Sequence, residues 1–396
     1  MTGPAAPTEI MPRTTAALGH EWSLLLAACS AISPQEKLVQ LRGLMQQPVR
    51  WRPVFELAER HGTQPLLYQA LSGLEPAVPP EEMFVLQQAY RTNLHKSLLL
   101  SRELIRIVEA LTTLGIEVMP YKGPALAEVL YGDIALRQSG DIDLLIHPQD
   151  LASIRDAVRD LGYTPHFTLS EAVEREYLKS GYEYAFDGAA GPNLLELQWA
   201  IQPRFYAVDF DMAGVFQRAV SLTVAGYPMR TLSREDLFLV LSVHAAKHVW
   251  GRLVWLCDIA QLMNLPNLNW GWIGSQARSL GVVRILRVTM LVAHHLLGAP
   301  IPAAAQQSLP QDSETGALAE EIQTYIVRES PYNAESLAYF RLMMRLREKP
   351  ADRRRFLQRL VLTPGPGEWN AVHLPQPLFP LYRLVRLARL AARLVR

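Results

Sequence analysis

The chain has 396 residues, 49% hydrophobic and 19% charged, and 39 basic against 38 acidic side chains leave a net charge of +1. That composition excludes general disorder, and the balance of charge excludes a global field aimed at nucleic acid. The only cysteines, Cys29 and Cys257, exclude a disulfide framework and a multi-thiolate zinc site. They fit a reducing cytosol, so a cytoplasmic protein is expected.

Residues 1–20 carry Pro, Thr and Ala without periodicity and read as a disordered tail. Leu26-Ala27-Ala28-Cys29 looks like a lipoprotein cleavage box, but the apolar stretch from Trp22 to Cys29 is short and Glu21 directly precedes it. The better expectation is a first core helix from Glu21 to Ile32. No run reaches the ~18 uncharged apolar residues that a membrane helix needs. Residues 21–96 read as an N-terminal helical region, with Pro53–Ala70 broken at His61-Gly62. Residues 82–114 read as one or two further helices with Leu98, Leu99, Leu100, Leu104, Ile105, Val108 and Leu111 on the apolar face.

The texture changes over 97–232, where short apolar runs alternate with helical ones. Strands are expected at Ile116–Tyr121 and Ile142–Ile146, and a hairpin at Tyr182–Phe186 and Leu194–Trp199 around the Gly188–Asn193 turn cluster. Pro124–Tyr131 and Leu151–Leu161 read as helices. Ser233, with Asp236 three residues on, caps a helix that runs through His244 and His248. The spacing Trp51, Ala58, Gly62 recurs as Trp270, Ala277, Gly281, two similar helix–turn units. Trp250, Trp255, Trp270 and Trp272 read as core, and Cys257 as a small buried hydrophobe. The expected fold class is α+β: a small mixed sheet between N- and C-terminal helical regions, with 233–300 packed on the core and 301–396 forming a C-terminal region.

Residues 351–396 hold nine arginines against two acids, Asp352 and Glu368, a net +7. Arg383, Arg386, Arg389, Arg393 and Arg396 fall on one side of the last helix. That side reads as a solvated face, with RNA or an anionic membrane surface as the alternative occupant.

The chemistry concentrates in 121–147, YKGPALAEVLYGDIALRQSGDIDLLIH. Asp141 and Asp143 are two apart on an expected strand, so both carboxylates face one way, about 7 Å apart at their Cα atoms. Paired hard-oxygen acids suit Mg²⁺ on a phosphate chain. Glu196 is the lone charge in the apolar run Leu194–Trp199 and completes a three-acid cluster if the hairpin joins the sheet. Lys122 follows the first strand. Gly123 lets a phosphate approach the backbone, and the helix from Pro124 turns its N-terminus toward an anion. Arg137 could fork onto a phosphate, and Ser139 could donate to it.

The order Lys-Gly-x-Ala-Leu, then Tyr131, then Arg-x-Ser-x-Asp-Ile-Asp-Leu-Leu resembles the polymerase-β-type nucleotidyltransferases. It is most similar to the bacterial branch known simply as nucleotidyltransferase family proteins, and the abortive-infection toxin nucleotidyltransferases share a similar run. Trp51–Leu67, Glu196–Trp199, His244–Asp258 and Pro364–Pro375 resemble that branch more loosely. The resemblance implies metal ligation (Mg²⁺ or Mn²⁺) by Asp141, Asp143 and Glu196. It also implies transfer of a nucleoside monophosphate from an NTP to an acceptor hydroxyl, of a small molecule or peptide, with release of pyrophosphate. The sequence departs from the family at Pro124, where Ser or Gly is usual, and at Gln198, where His is frequent. The rival readings are a toxin-like enzyme acting on tRNA and a non-catalytic nucleotide-binding or scaffold protein.

His244 and His248 lie four apart on one helical face. A zinc-protease reading fails because Ala245 stands where that signature needs Glu. With Lys247, they are candidates to touch the nucleotide or the acceptor, as is Gln198.

Overall fold

The computed structural model describes residues 19–74, 77–167, 170–188, 194–328 and 336–394. The expected tail lies outside the described residues up to residue 18, as does the 188–193 turn beyond Gly188.

Five helices come first: α1 (His20–Cys29), α2 (Pro34–Leu44), α3 (Trp51–His61), α4 (Gln64–Ser72) and α5 (Pro80–Thr113). α1 ends three residues short of Ile32 because Ser30 leaves helical dihedrals. In α2, Ser33 and Glu36 cap each other reciprocally with Pro34 in the first turn. α3 stops at Gly62, whose φ of 71° is left-handed. α5 runs unbroken across residues 96 and 97. Its inward stripe is Leu100, Leu104, Ile107, Val108 and Leu111. Leu98 and Leu99 do not belong to it: they are 47% and 63% exposed, because the ~100° turn per residue swings them off the stripe set by Leu100 and Leu104.

The middle of the chain holds β1 (Val118–Pro120), α6 (Gly123–Tyr131), β2 (Asp141–Ile146), α7 (Leu151–Asp160), β3 (Thr164–Pro165), α8 (Glu171–Ser180), β4 (Glu183–Asp187) and β5 (Leu194–Gln198). The sheet order is β1-β2-β5-β4-β3. Only β2 and β5 run parallel; the other neighbours are antiparallel. The hairpin therefore does join the sheet beside β2. α9 (Met212–Gln217) leads to a separate ribbon, β6 (Val220–Val224) and β7 (Tyr227–Thr231). Its turn is Ala225-Gly226, both at positive φ.

The remaining helices are α10 (Arg234–Lys247), α11 (Leu253–Asn264), α12 (Trp270–Leu280), α13 (Val283–Leu297), α14 (Ala303–Ser308), α15 (Ser313–Arg328), α16 (Leu337–Arg345), α17 (Pro350–Leu362), α18 (Pro366–Ala371) and α19 (Tyr382–Leu394). Ser233 caps α10 by accepting the Asp236 N–H. α12 repeats α3: it starts at a Trp and stops at a left-handed Gly281. Trp250 and Trp270 are buried, whereas Trp255 and Trp272 are half-buried.

Two apolar cores flank the sheet. Ile142, Leu144, Ile146, Leu195, Leu197, Tyr184 and Phe186 pack with the inward stripes of α5 and α7. On the other side, Met119, Tyr121 and Leu145 join a larger core built from the helices before and after the sheet. Period-2 alternation thus gives β2, β5 and β4 one apolar face and leaves the alternate residues for the other.

Candidate active site

Strand register sets the site. Asp143 pairs with Glu196 across β2 and β5, and Glu183 pairs with Gln198 across β4 and β5. Residues directly opposite share a face, so Asp141, Asp143, Glu196, Gln198 and Glu183 share one face over three strands. Asp143 is 2% exposed. Lys122 Nζ donates to Asp143 Oδ1 over 2.9 Å. The Gln198 amide donates to Asp143 Oδ1 at 3.1 Å and to Glu196 Oε2 at 2.8 Å, and Tyr121 donates its hydroxyl proton to Gln198 Oε1. Asp143 Oδ2 is buried with no hydrogen-bond partner among the described residues.

The electrostatics follow from crowding like charges out of water. Burial raises Asp141 above the usual carboxylate range, and Asp143 raises it further. Burial, Asp143 and Glu183 together push Glu196 up to about 8. Burial also raises Glu183, against a hydrogen bond from Tyr182 that opposes the shift. For Lys122 burial works against the charge, but Asp143 more than offsets it, and the ammonium is held above its ordinary value.

The backbone is tight here too. Gly123 has φ 57°, and a Cβ on it would stand 2.9 Å from the Asp141 carbonyl oxygen. Only glycine accepts both conditions without strain. Pro124 sits in the first turn of α6, where its missing N–H costs no helical bond but removes one donor from the helix N-terminus.

Arg137 and Ser139 are engaged with protein partners, while the Arg137 charge still lowers Asp141. Arg137 Nε contacts Asp258 Oδ1 at 3.1 Å and Oδ2 at 3.0 Å, and its Nη1 donates to Ser139 Oγ at 3.1 Å. Tyr131 donates to Asp258 Oδ1 at 3.0 Å. Burial works against the guanidinium charge, and Asp258 more than offsets it. This pair ties the loop before β2 to α11.

The end of α10 lies against the acids. Burial and then Lys122 lower Lys247 to about 8, against Glu183, Glu196 and Asp143, which raise it. Its ammonium stands 5.1 Å over the Tyr182 ring. Burial, Lys122 and Lys247 hold His244 well below the ordinary imidazole range, hence neutral. The His244 and His248 rings are 4.8 Å apart, and both stand against Trp255. Tyr121, Tyr182 and Glu183 escaped the sequence reading. No local signal marked Glu183; the β4–β5 register sets it opposite Gln198.

Among the described residues no group of three or more His, Cys, Asp or Glu is arranged to hold a metal ion. Lys122 and the Gln198 amide occupy Asp143 Oδ1, and the same amide occupies Glu196 Oε2. The donor types are those a hard divalent cation takes: three carboxylates on adjacent strands, a buried carboxylate oxygen without a partner among the described residues, and two acids raised by burial and then by their like-charged neighbours.

A small α+β core carrying two strand acids and a third from the neighbouring parallel strand belongs to a nucleotidyltransferase type of fold. The family described as uncharacterised nucleotidyltransferase matches residues 47–298, and the chain belongs to that family. No curated protein matches it. A crystal structure of an antigenic nucleotidyltransferase-like protein from Paracoccidioides brasiliensis is 17% identical, with 54% of this chain and 96% of that one covered and a TM-score of 0.31. That likeness is too loose to inform the chemistry of this chain. Among the described residues no helix is long and apolar enough to cross a membrane.

Proposed function

We propose that the chain transfers a nucleoside monophosphate from an NTP to an acceptor hydroxyl, in the cytoplasm, with Mg²⁺ or Mn²⁺ as the cofactor. The observation that carries this reading is the pairing of Asp143 with Glu196 across parallel strands, with Asp141 on the same face. Such a cation, held by Asp141, Asp143 and Glu196, would neutralise phosphate charge. Lys122 exchanges Asp143 for the triphosphate, and the Gly123 turn lets that chain approach the backbone. The acceptor oxygen bonds to the α-phosphorus, the bridge to the β-phosphate breaks, and pyrophosphate leaves. Glu196 takes the hydroxyl proton. Catalysis is then positioning plus charge neutralisation. Gln198 and Tyr121 orient the two acids, and neutral His244 adds no charge that would compete for them. Two free, buried thiols suit a reducing compartment.

The test follows both labels of an NTP, α and γ, through the full-length protein with Mg²⁺ and a cell extract. The expected result is α-label in an acceptor with wild type and none with Asp143→Asn. Transfer of γ-label would make the protein a kinase and end this reading. The alternative, a toxin-like enzyme acting on tRNA, predicts instead α-label in RNA that is lost on truncation near residue 375; of the arginines named for it, Arg383 is exposed, Arg389 half-buried and Arg386 buried.

A further inference from the structure

A cavity of ≈ 510 Å³ opens at the β4 side of the sheet, where Glu183 is the acid of the cluster that lines it. Its inner wall is Tyr182 and Glu183 with Lys247 from the end of α10. Its outer wall comes from far along the chain: Phe340 of α16, the loop around Gly365, and Arg386 and Arg389 of α19. The size suits a small molecule.

α19 is the informative element. Tyr382, Arg386 and Arg389 are spaced four and three apart and form its inward stripe; Arg386 is 9% exposed, whereas Leu384 is 60% exposed. Arg389 is half-buried beside Arg386, while Arg383 is exposed, so this side of the helix turns two of its arginines toward the cavity and leaves Leu384 and Leu387 in solvent. Both inward arginines share one acid: Arg386 Nη1 is 3.2 Å from Glu368 Oε2, and Arg389 Nε is 3.5 Å from Glu368 Oε1. Across the cavity, no carboxylate lies within ion-pairing distance of Lys247 among the described residues. The charged lining is therefore Lys247, Arg386 and Arg389 against Glu183 and Glu368, an excess of one cation in a partly dry site. One ligand anion balances it.

Sheet order gives the cavity its place. The α6 N-terminus and Lys122 follow β1 at one side of the acids, while the cavity lies at β4 on the other side. We infer that this cavity is the acceptor site of the transfer proposed above, on which this inference rests, and that it selects a small acceptor carrying a phosphate or carboxylate beside an apolar body. The anion lies between Lys247 and Arg389, and the apolar body lies against Phe340 and Tyr339. The acceptor hydroxyl then points past Glu183 to the α-phosphate. Its oxygen bonds to phosphorus, its proton goes to Glu196, and pyrophosphate departs from the opposite side.

Three probes test this with the full chain: 1-naphthyl phosphate, 1-naphthoate and the neutral 1-naphthol, titrated by fluorescence with and without Mg-ATP. At least one anionic probe is expected to bind about tenfold more tightly than naphthol, and the stronger of the two identifies the anion. Lys247→Gln and Arg389→Gln should each weaken that probe by about tenfold and leave naphthol unchanged. Arg389 is on the last helix with a third of its side chain exposed, so its variant keeps the test valid if Lys247→Gln fails to fold. Equal binding of all three probes, or indifference to both variants, overturns the anion selectivity. Competition with Mg-ATP overturns the acceptor assignment, because the cavity would then be the nucleotide's own. If Mg-ATP fails to bind wild type while the probes still bind, the transferase reading falls and the acceptor assignment falls with it. If Mg-ATP binds and the probes do not, only this inference fails.

Discussion

Two buried ion pairs draw their cations from the same stretch of sequence and have opposite characters. Arg137–Asp258 is complete: both carboxylate oxygens accept from Arg137, and Tyr131 adds a third donor. Lys122–Asp143 is incomplete: Oδ1 receives Lys122 and Gln198, Oδ2 receives nothing, and Glu196 and Asp141 crowd the same face. A complete pair locks α11 to the core. An incomplete pair stores an unmet demand for positive charge, which is what a site for a metal-bound triphosphate requires. Burial alone does not separate a staple from a site; the satisfaction of each oxygen does.

The largest expected effect tests the incomplete pair. Asp143→Asn should lower α-label transfer by about a thousandfold, while the urea midpoint moves little, because Asn still accepts from Lys122 and the crowding on Glu196 falls. A loss of stability as large as the loss of activity would make Asp143 a staple after all. Next, Asp258→Ala leaves Arg137 buried without its anion and should cost about 3–5 kcal/mol. Urea unfolding measures it, and transfer per folded molecule should stay within a few-fold. A collapse of transfer in molecules that remain folded would erase the distinction between the pairs.

His61 extends the comparison to a neutral group. Its Nδ1 accepts the Leu253 N–H, its Nε2 has no partner among the described residues, and burial with Arg60 and Arg252 lowers its pKa to about 4. The folded pKa lies below the unfolded value near 6.5, so the unfolded chain binds the proton first as pH falls. This contribution is present above about pH 6.5 and is lost as pH drops toward 4, on the order of 3 kcal/mol. His61→Gln keeps an acceptor for Leu253 and should flatten that part of the profile of unfolding free energy against pH. An unchanged slope would assign the acid sensitivity elsewhere. The smallest effect is at Gly123: Ala there must hold a left-handed φ beside the Asp141 carbonyl, at about 1–2 kcal/mol. Thermal melting should show that cost, with a measurable fall in transfer as Asp141 shifts, and Asp258→Ala in the same background should add independently.

Much of this was legible in the chain. Alternation across 141–146 set Asp141 and Asp143 on one face, and helical spacing set His244 and His248 together; Glu196 joined the two acids only through the β2–β5 register. Turn chemistry also marked α3 and α12, which start at Trp and stop at Gly. Three things were not legible. The pairing of Arg137 with Asp258 joins residues 121 apart. The arginines of α19 read as a solvated stripe, which Arg383 keeps, whereas Glu368 pairs with Arg386 and with the half-buried Arg389; the side chain of Arg393, and Arg396, lie outside the described residues. Glu183 carries no local mark of function, and only the antiparallel register beside Gln198 brings it to the site.

The sequence by itself determined which residues share a face of each strand and helix, because those faces follow from periods of two and 3.6 residues that operate locally. It also put four of the candidate site residues, Lys122, Gly123, Asp141 and Asp143, within one short stretch. Only the tertiary structure decided which charges are satisfied and which are left wanting. A buried charge is defined by its partner, and here the partners of Arg137, Arg386 and Asp143 come from separate elements brought together by packing.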